Sequence, residues 1–191
     1  MTASLPVQSV KELIALAKAK PGVLNFGSSA AGAPNHLSSE LLKAMAGINI
    51  AWVPYRNSAL AVVGLLGGEV QMIVDTGASL NAPIQSGKVR ALAVTSSKPS
   101  PLFPGLPTVG ETLPGYEVTA MTAVFFPAKT PNTIVRRLNN VIVSALNRDD
   151  VKERLLLVGQ ESATSSREEL ASIIKSDMDK WQKIIKSAKL K

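Results

Sequence analysis

The chain has 191 residues and 46% hydrophobic content, enough for a packed core and too much for a disordered chain. Lys plus Arg number 21 against 14 Asp plus Glu, a net charge of +7, and only 4% of residues are aromatic. The excess therefore reads as a solvated basic surface that draws anionic small molecules, not as a base-stacking nucleic-acid face. With no cysteine and one histidine, disulfides, thiolate chemistry and multi-histidine metal centres are excluded, and no cofactor is implied.

Much of the positive charge lies near the two ends: Lys11, Lys18 and Lys20 early, and Lys180, Lys183, Lys186, Lys189 and Lys191 late. No apolar run approaches the roughly 18 residues that span a bilayer. The first six residues, Met1 to Pro6, lack the charged and apolar regions of a secretory signal.

Residues 9–19 read as a helix, with Ser9 as its cap, Glu12 completing a capping box, and Val10, Leu13, Ile14 and Ala17 on one stripe. Pro21-Gly22 ends it. Residues 23–26 are a short apolar run that suits a buried strand, 27–33 a loop of small residues, and an amphipathic helix follows from Pro34 with Leu37, Leu41, Leu42 and Met45 on one side. Strand, glycine loop and helix together turn unpaired backbone N–H groups toward an incoming anion. The nucleotide versions of this layout fail: Gly32 is followed by Ala33-Pro34 where a P-loop needs Lys-Ser/Thr, and Gly27-Ser28-Ser29 lacks the second glycine of a dinucleotide fingerprint. What remains is either a generic anion cradle with hydroxyls from Ser28 and Ser29 or an ordinary strand-to-helix turn.

Downstream, 50–53 is a second strand, Tyr55-Arg56-Asn57-Ser58 a polar loop whose Ser58 caps a helix over 59–66, and 70–74 a third strand ending in Asp75. Thr76-Gly77 is its exit turn, 79–85 a short helix, and 89–95 a fourth apolar strand. This alternation predicts an α/β unit with a parallel sheet of at least four strands, covered on both faces, with ligands beyond the strand C-terminal ends. Residues 98–116 are a proline-rich connection, 118–126 one more strand, and helices follow over 131–146, 149–158 and from Ser166, where Glu169 holds the capping-box position. The stripes Ile134, Leu138, Val141, Ile142 and Leu170, Ile174, Trp181, Ile185 mark the apolar faces of the first and last of these. Trp52 and Trp181 read as core residues.

His36 invites a serine-hydrolase reading with Ser28 or Ser29 as nucleophile and Asp75 as orienter. No G-x-S-x-G elbow supports it, and a histidine bonded to a loop carbonyl or facing the cleft as a ligand donor is the plainer alternative. Asp75 fixes loop N–H groups, caps the following turn, or accepts from a ligand.

The blocks Leu24-Asn25-Phe26-Gly27-Ser28-Ser29, His36-Leu37, Val53-Pro54-Tyr55-Arg56, Leu65-Leu66-Gly67-Gly68-Glu69-Val70, Arg90-Ala91-Leu92-Ala93-Val94-Thr95, Leu106-Pro107-Thr108-Val109, Leu113-Pro114-Gly115-Tyr116-Glu117 and Pro127-Ala128-Lys129-Thr130-Pro131 occur in this order. Together they resemble the Bug-type extracytoplasmic solute receptors of tripartite tricarboxylate transporters, over essentially the whole chain. The resemblance implies a type II periplasmic-binding-protein fold, a non-enzymatic receptor for a small organic carboxylate, membrane transporter components as partners, and a periplasmic location. It implies a hinge helix over 1–20, a ligand-binding α/β domain over 21–117, and a crossover strand with C-terminal helices of an incomplete first domain over 118–191. The N-terminal part of that first domain is expected to be missing, and with it a second ligand loop.

Ser28, Ser29 and Gly32 match the family's ligand loop, and Ala31, Ala33, His36, Tyr55, Asn57, Asp75 and Thr76 complete the expected binding set. Ala31 and Ala33 depart from the polar residues common there, and Met121 replaces a typical aromatic. With the first domain incomplete, the two late apolar stripes are expected to face water unless the helices swap onto a second copy or pack against each other. The competing expectations are a small hydrolase using Ser28 or Ser29 with His36, and a fragment that binds nothing and only oligomerises.

Overall fold

The structure, a computed structural model, describes residues 1–187; Lys189 and Lys191 of the basic tail lie outside the described residues. The chain divides into two compact units, Met1–Ala120 and Met121–Lys191.

In the first unit, α1 (Val10–Ala19) buries Val10, Leu13 and Ala17. Ser9 Oγ accepts the Glu12 N–H, while the Glu12 carboxylate accepts from Gln8 N–H at 2.7 Å, one residue earlier than a standard capping box. Three short parallel strands follow in alternation with helices: β1 (Asn25–Ser28), α2 (Pro34–Ala46), β2 (Ala51–Pro54), α3 (Ser58–Leu66), β3 (Met72–Ile73) and α4 (Gly77–Gln85). The sheet order is β2-β1-β3, with Phe26 paired to Trp52 on one side and Met72 on the other.

The core gathers within and just before the strands. Phe26 is fully enclosed, and Leu24, Ile50, Val70 and Met72 are nearly so, whereas Val23 at the start of the predicted strand is 62% exposed. One core cluster gathers Val62, Leu65, Val70, Ile73 and Val89, with Val53, Tyr55, Leu80 and Ile84 against it. Gly27 and Gly64 make room for the Tyr55 ring: a Cβ on Gly27 would sit 3.0 Å from the ring, and one on Gly64 would collide with the phenol. The Tyr55 hydroxyl donates to Glu69 at 2.9 Å. Tyr116, 2% exposed, donates its hydroxyl to the Ser38 carbonyl, and burial holds its phenol far above the ordinary range.

The sheet has three strands, not the four or more expected. Residues 89–95 contribute only single bridges, Val89 antiparallel to Thr2 and Val94 parallel to Thr108. Val89 is buried and residues 91–94 are only partly so, and the backbone is diverted: Arg90 N–H donates to Met1 O, and Val94 N–H to Pro107 O. The predicted strand over 118–126 is likewise irregular backbone, with the Val118 N–H bonded to Thr95 O at its start. Strand character belongs to a pair of segments, and an apolar run without a ladder partner does not acquire it.

In the second unit, α5 (Asn132–Leu146), α6 (Asp149–Leu157) and α7 (Arg167–Ser187) form where expected. Ser166 and Glu169 exchange both capping-box bonds, at 2.7 and 3.1 Å. Among the described residues no side chain of this unit is buried; Ile134, Val141 and Ile185 are 47%, 59% and 38% exposed, and Trp181 is half-buried.

Candidate functional site

With β1 central and its neighbours reached in opposite directions, the strand order reverses beside β1. In an open parallel sheet this is where the loops after the strands leave a crevice for a ligand. The loop after β1 enters α2, whose first turn carries unpaired N–H groups and the positive end of the helix dipole. Gly32 adopts φ +78°, a conformation that favours glycine, and lets the chain turn into the helix. Ala33 is the N-cap with no side-chain bond to the helix, and Pro34 fills the first helical position.

Several groups in this loop are already committed within the protein. The fully buried Ser28 accepts from Trp52 Nε1 at 2.8 Å and donates to the Ser29 carbonyl. The Ser29 hydroxyl donates to Asn35 Oδ1 at 2.9 Å. Gly32 N–H donates to His36 Nδ1 at 3.2 Å, which places the imidazole proton on Nε2. His36 is thus an acceptor for a loop N–H; a bond to a loop carbonyl was one of the two expectations for it, the other being a donor facing the cleft. Its ring lies 4.3 Å from the Trp52 ring and 6.2 Å from Phe26, and desolvation first, with Lys43 also lowering and Glu40 opposing, holds its pKa below 6.5. Neither serine hydroxyl is bonded to it, so the pairing that a hydrolase mechanism requires is not formed.

What the loop leaves open is backbone. The N–H groups of Ala30 and Ala31, on an exposed tip, and of Asn35 in the first turn take no protein partner among the described residues.

The remaining expected residues divide in two. Asp75 joins the loop: its Oδ2 accepts from Asn35 Nδ2 at 3.3 Å, while Oδ1 accepts from Thr76 N–H and the Ser79 hydroxyl at 2.7 and 3.0 Å, tying down the first turn of α4. Thr76 is the N-cap of α4 without a side-chain cap bond, its hydroxyl 3.4 Å from that of Ser79. Asn57 instead caps α3 through the Leu60 N–H at 2.9 Å, the role expected of Ser58, which stands one position later and accepts from Asn35. The Tyr55 side chain is held by Glu69, while its backbone N–H donates to Ser28 O. Asn35 itself escaped sequence reasoning. An asparagine in the first turn of a helix carries no motif, and its partners come from three separate stretches of chain.

The family described as tripartite tricarboxylate transporter family receptor matches residues 1–190. The chain belongs to this receptor family. It is 40% identical over 180 residues to a Pseudomonas sp. protein from the tcbD-tcbE intergenic region, covering 93% of this chain and 54% of that one. It is 34% identical to BugT of Bordetella pertussis, covering 98% of this chain and 58% of that one. Among solved structures, R. palustris Rpa4515 with adipate superposes with a TM-score of 0.90 at 36% identity, covering 99% of this chain and 64% of that chain. MatC from Rhodopseudomonas palustris with bound malate superposes at 0.78 with 27% identity, covering 96% and 64%. The periplasmic binding protein BugD gives 0.84 at 30% identity, covering 100% and 64%. This receptor chain therefore has the periplasmic-binding-protein fold and spans just over half the length of the Pseudomonas sp. protein and of BugT.

Proposed function

We propose that this chain is the carboxylate-holding part of a periplasmic solute receptor that serves a tripartite transporter, and that it works by binding, without chemistry. The observation that carries the reading is the loop ahead of α2, where exposed amides of Ala30 and Ala31 stand open beside the positive end of a helix. Similarity to proteins whose structures carry adipate and malate supports a dicarboxylate as the ligand class. The donors in this reading are backbone N–H groups, with Ser28, Ser29, His36, Asp75 and Thr76 shaping the loop from behind and Gly32 giving its turn. Titration of 15N-labelled protein with adipate and with malate is expected to shift the amide resonances of Ala30, Ala31 and Asn35 first. Saturable binding that leaves these amides unmoved, or no binding of either diacid, overturns the assignment.

Self-association is a second reading with its own observation. The α5 and α7 stripes present Ile134, Leu138, Val141 and Ile185 at 37–59% exposure, and contiguous apolar faces of that kind are seldom bare on a monomer. Light scattering at micromolar concentration tests it: a mass above 20.1 kDa supports association, and a clean monomer removes it.

A further inference from the structure

Asn35 stands at the second position of α2, and its side-chain amide is fully used. Oδ1 accepts from the Ser29 hydroxyl at 2.9 Å and from the His36 N–H at 3.0 Å; Nδ2 donates to Ser58 Oγ at 3.2 Å and Asp75 Oδ2 at 3.3 Å. An amide offers two acceptor lone pairs and two donors, and all four are engaged. The orientation is fixed by its surroundings, because the flipped amide would set its NH2 against the His36 N–H and its oxygen against the Asp75 carboxylate.

The partners come from three separate junctions. Ser29 belongs to the loop after β1, Ser58 opens α3 after β2, and Asp75 follows β3. Asp75 is itself held by the Thr76 N–H and the Ser79 hydroxyl, so the bond from Asn35 passes on to the first turn of α4. One half-buried side chain therefore joins the ends of all three strands of the sheet. Beside it, His36 takes the Gly32 N–H, so consecutive residues of α2 hold the loop at two points and leave its Ala30-Ala31 tip open.

We propose that Asn35 is the positioning residue of the ligand rim: it locks the three strand-to-helix junctions into one geometry, so that the open amides are pre-set for a carboxylate and lose little freedom on binding. This rests on the reading of the loop as the carboxylate site, but the coupling of the junctions is a property of the free protein and is tested without ligand.

The experiment compares the full chain with Asn35→Ala and with the exchange N35D/D75N. The exchange trades amide for carboxylate across the 3.3 Å contact: the introduced amide at position 75 keeps an acceptor for Thr76 and Ser79, and the net charge is unchanged. In the free protein, amide hydrogen exchange in Asn35→Ala is expected to accelerate at least tenfold together at the bonded amides of Gly32 and Ala33, of Leu60 and Ala61, and of Thr76 and Ser79, and the exchanged pair to restore the slow rates at Thr76 and Ser79. With adipate as probe, Asn35→Ala is expected to lose at least tenfold in affinity while circular dichroism still shows the wild-type helical content. Acceleration confined to the α2 loop, or equal adipate affinity in Asn35→Ala and wild type, overturns the proposal. If wild type binds no adipate, the carboxylate reading fails, and the ligand-free exchange pattern alone decides whether Asn35 couples the junctions.

Discussion

At the residue scale, His36 accepts the Gly32 N–H only while it is neutral, and burial beside Trp52 and Phe26 favours that form. Its folded pKa lies below the ordinary 6.5, so between those two values the unfolded chain binds more protons than the folded one. Stability attributable to this residue is therefore complete above about pH 7 and falls as pH drops through 6.5 toward the folded pKa. Melting temperatures from pH 8 to pH 5 for wild type and His36→Gln check this. The difference between the two is expected to shrink as the pH falls, because glutamine offers an amide oxygen to Gly32 and does not titrate. A constant difference across the range would remove His36 as the source.

At the scale of single elements, α2 has an imperfect start that suits a binding loop. Ala33 caps it without a side-chain acceptor, and the Asn35 N–H stays open. Ala33→Asp should give that N–H an acceptor and place negative charge at the dipole's positive end, adding about 0.5–2 kcal/mol to stability. The same carboxylate would occupy the proposed ligand position. The expected outcome is a higher melting temperature with adipate affinity reduced at least tenfold, read by calorimetry on one preparation. In α3 the reverse balance holds. Gly64→Ala gains about 1 kcal/mol of helix propensity, but its Cβ meets the Tyr55 phenol and forces the ring off Glu69. Overpacking of that kind typically costs about 1–3 kcal/mol, so urea unfolding should show a net loss. Gly67→Ala, whose Cβ would come no closer than 3.4 Å to the Val63 carbonyl, is the milder comparison.

These elements also show where sequence reading succeeds. The helices were legible because their signals are local: Ser9 and Ser166 with a glutamate three residues on, and Pro34 at a first position. The strand-to-helix junction was legible for the same reason, although its strand runs over Asn25–Ser28 and the loop is 29–33, where a strand over 23–26 and a loop over 27–33 were expected. The runs 89–95 and 118–126 were misread as strands because a ladder needs a neighbour in register that no local pattern encodes, and in the second run the apolar Met121, Val124 and Phe125 are exposed. At the end of β1, Ser28 looks like a ligand hydroxyl until Trp52, 24 residues away, is found to occupy it.

Across the whole molecule, the two units differ in how much they bury. The first encloses Phe26, Ile50, Leu65 and Val70 almost completely, whereas no side chain among the described residues of the second is buried. Fully burying a Leu, Ile or Val contributes about 1.5–3 kcal/mol, and that contribution is largely absent from α5 to α7. Hydrogen exchange should therefore show the slowest amides in β1, α2 and α3 and rapid exchange throughout α5–α7; equal protection in both units would show that the late helices have found cover. The distribution of tryptophan makes the comparison simple. The two indoles, Trp52 and Trp181, fall one in each unit. Trp52 is packed 4.3 Å from the imidazole of His36, and a protonated imidazole quenches a neighbouring indole. Emission from Trp181→Phe then reports both the melting of the first unit and the charge on His36, while emission from Trp52→Phe follows the second unit alone, so one fluorimeter can time the two halves of the chain separately.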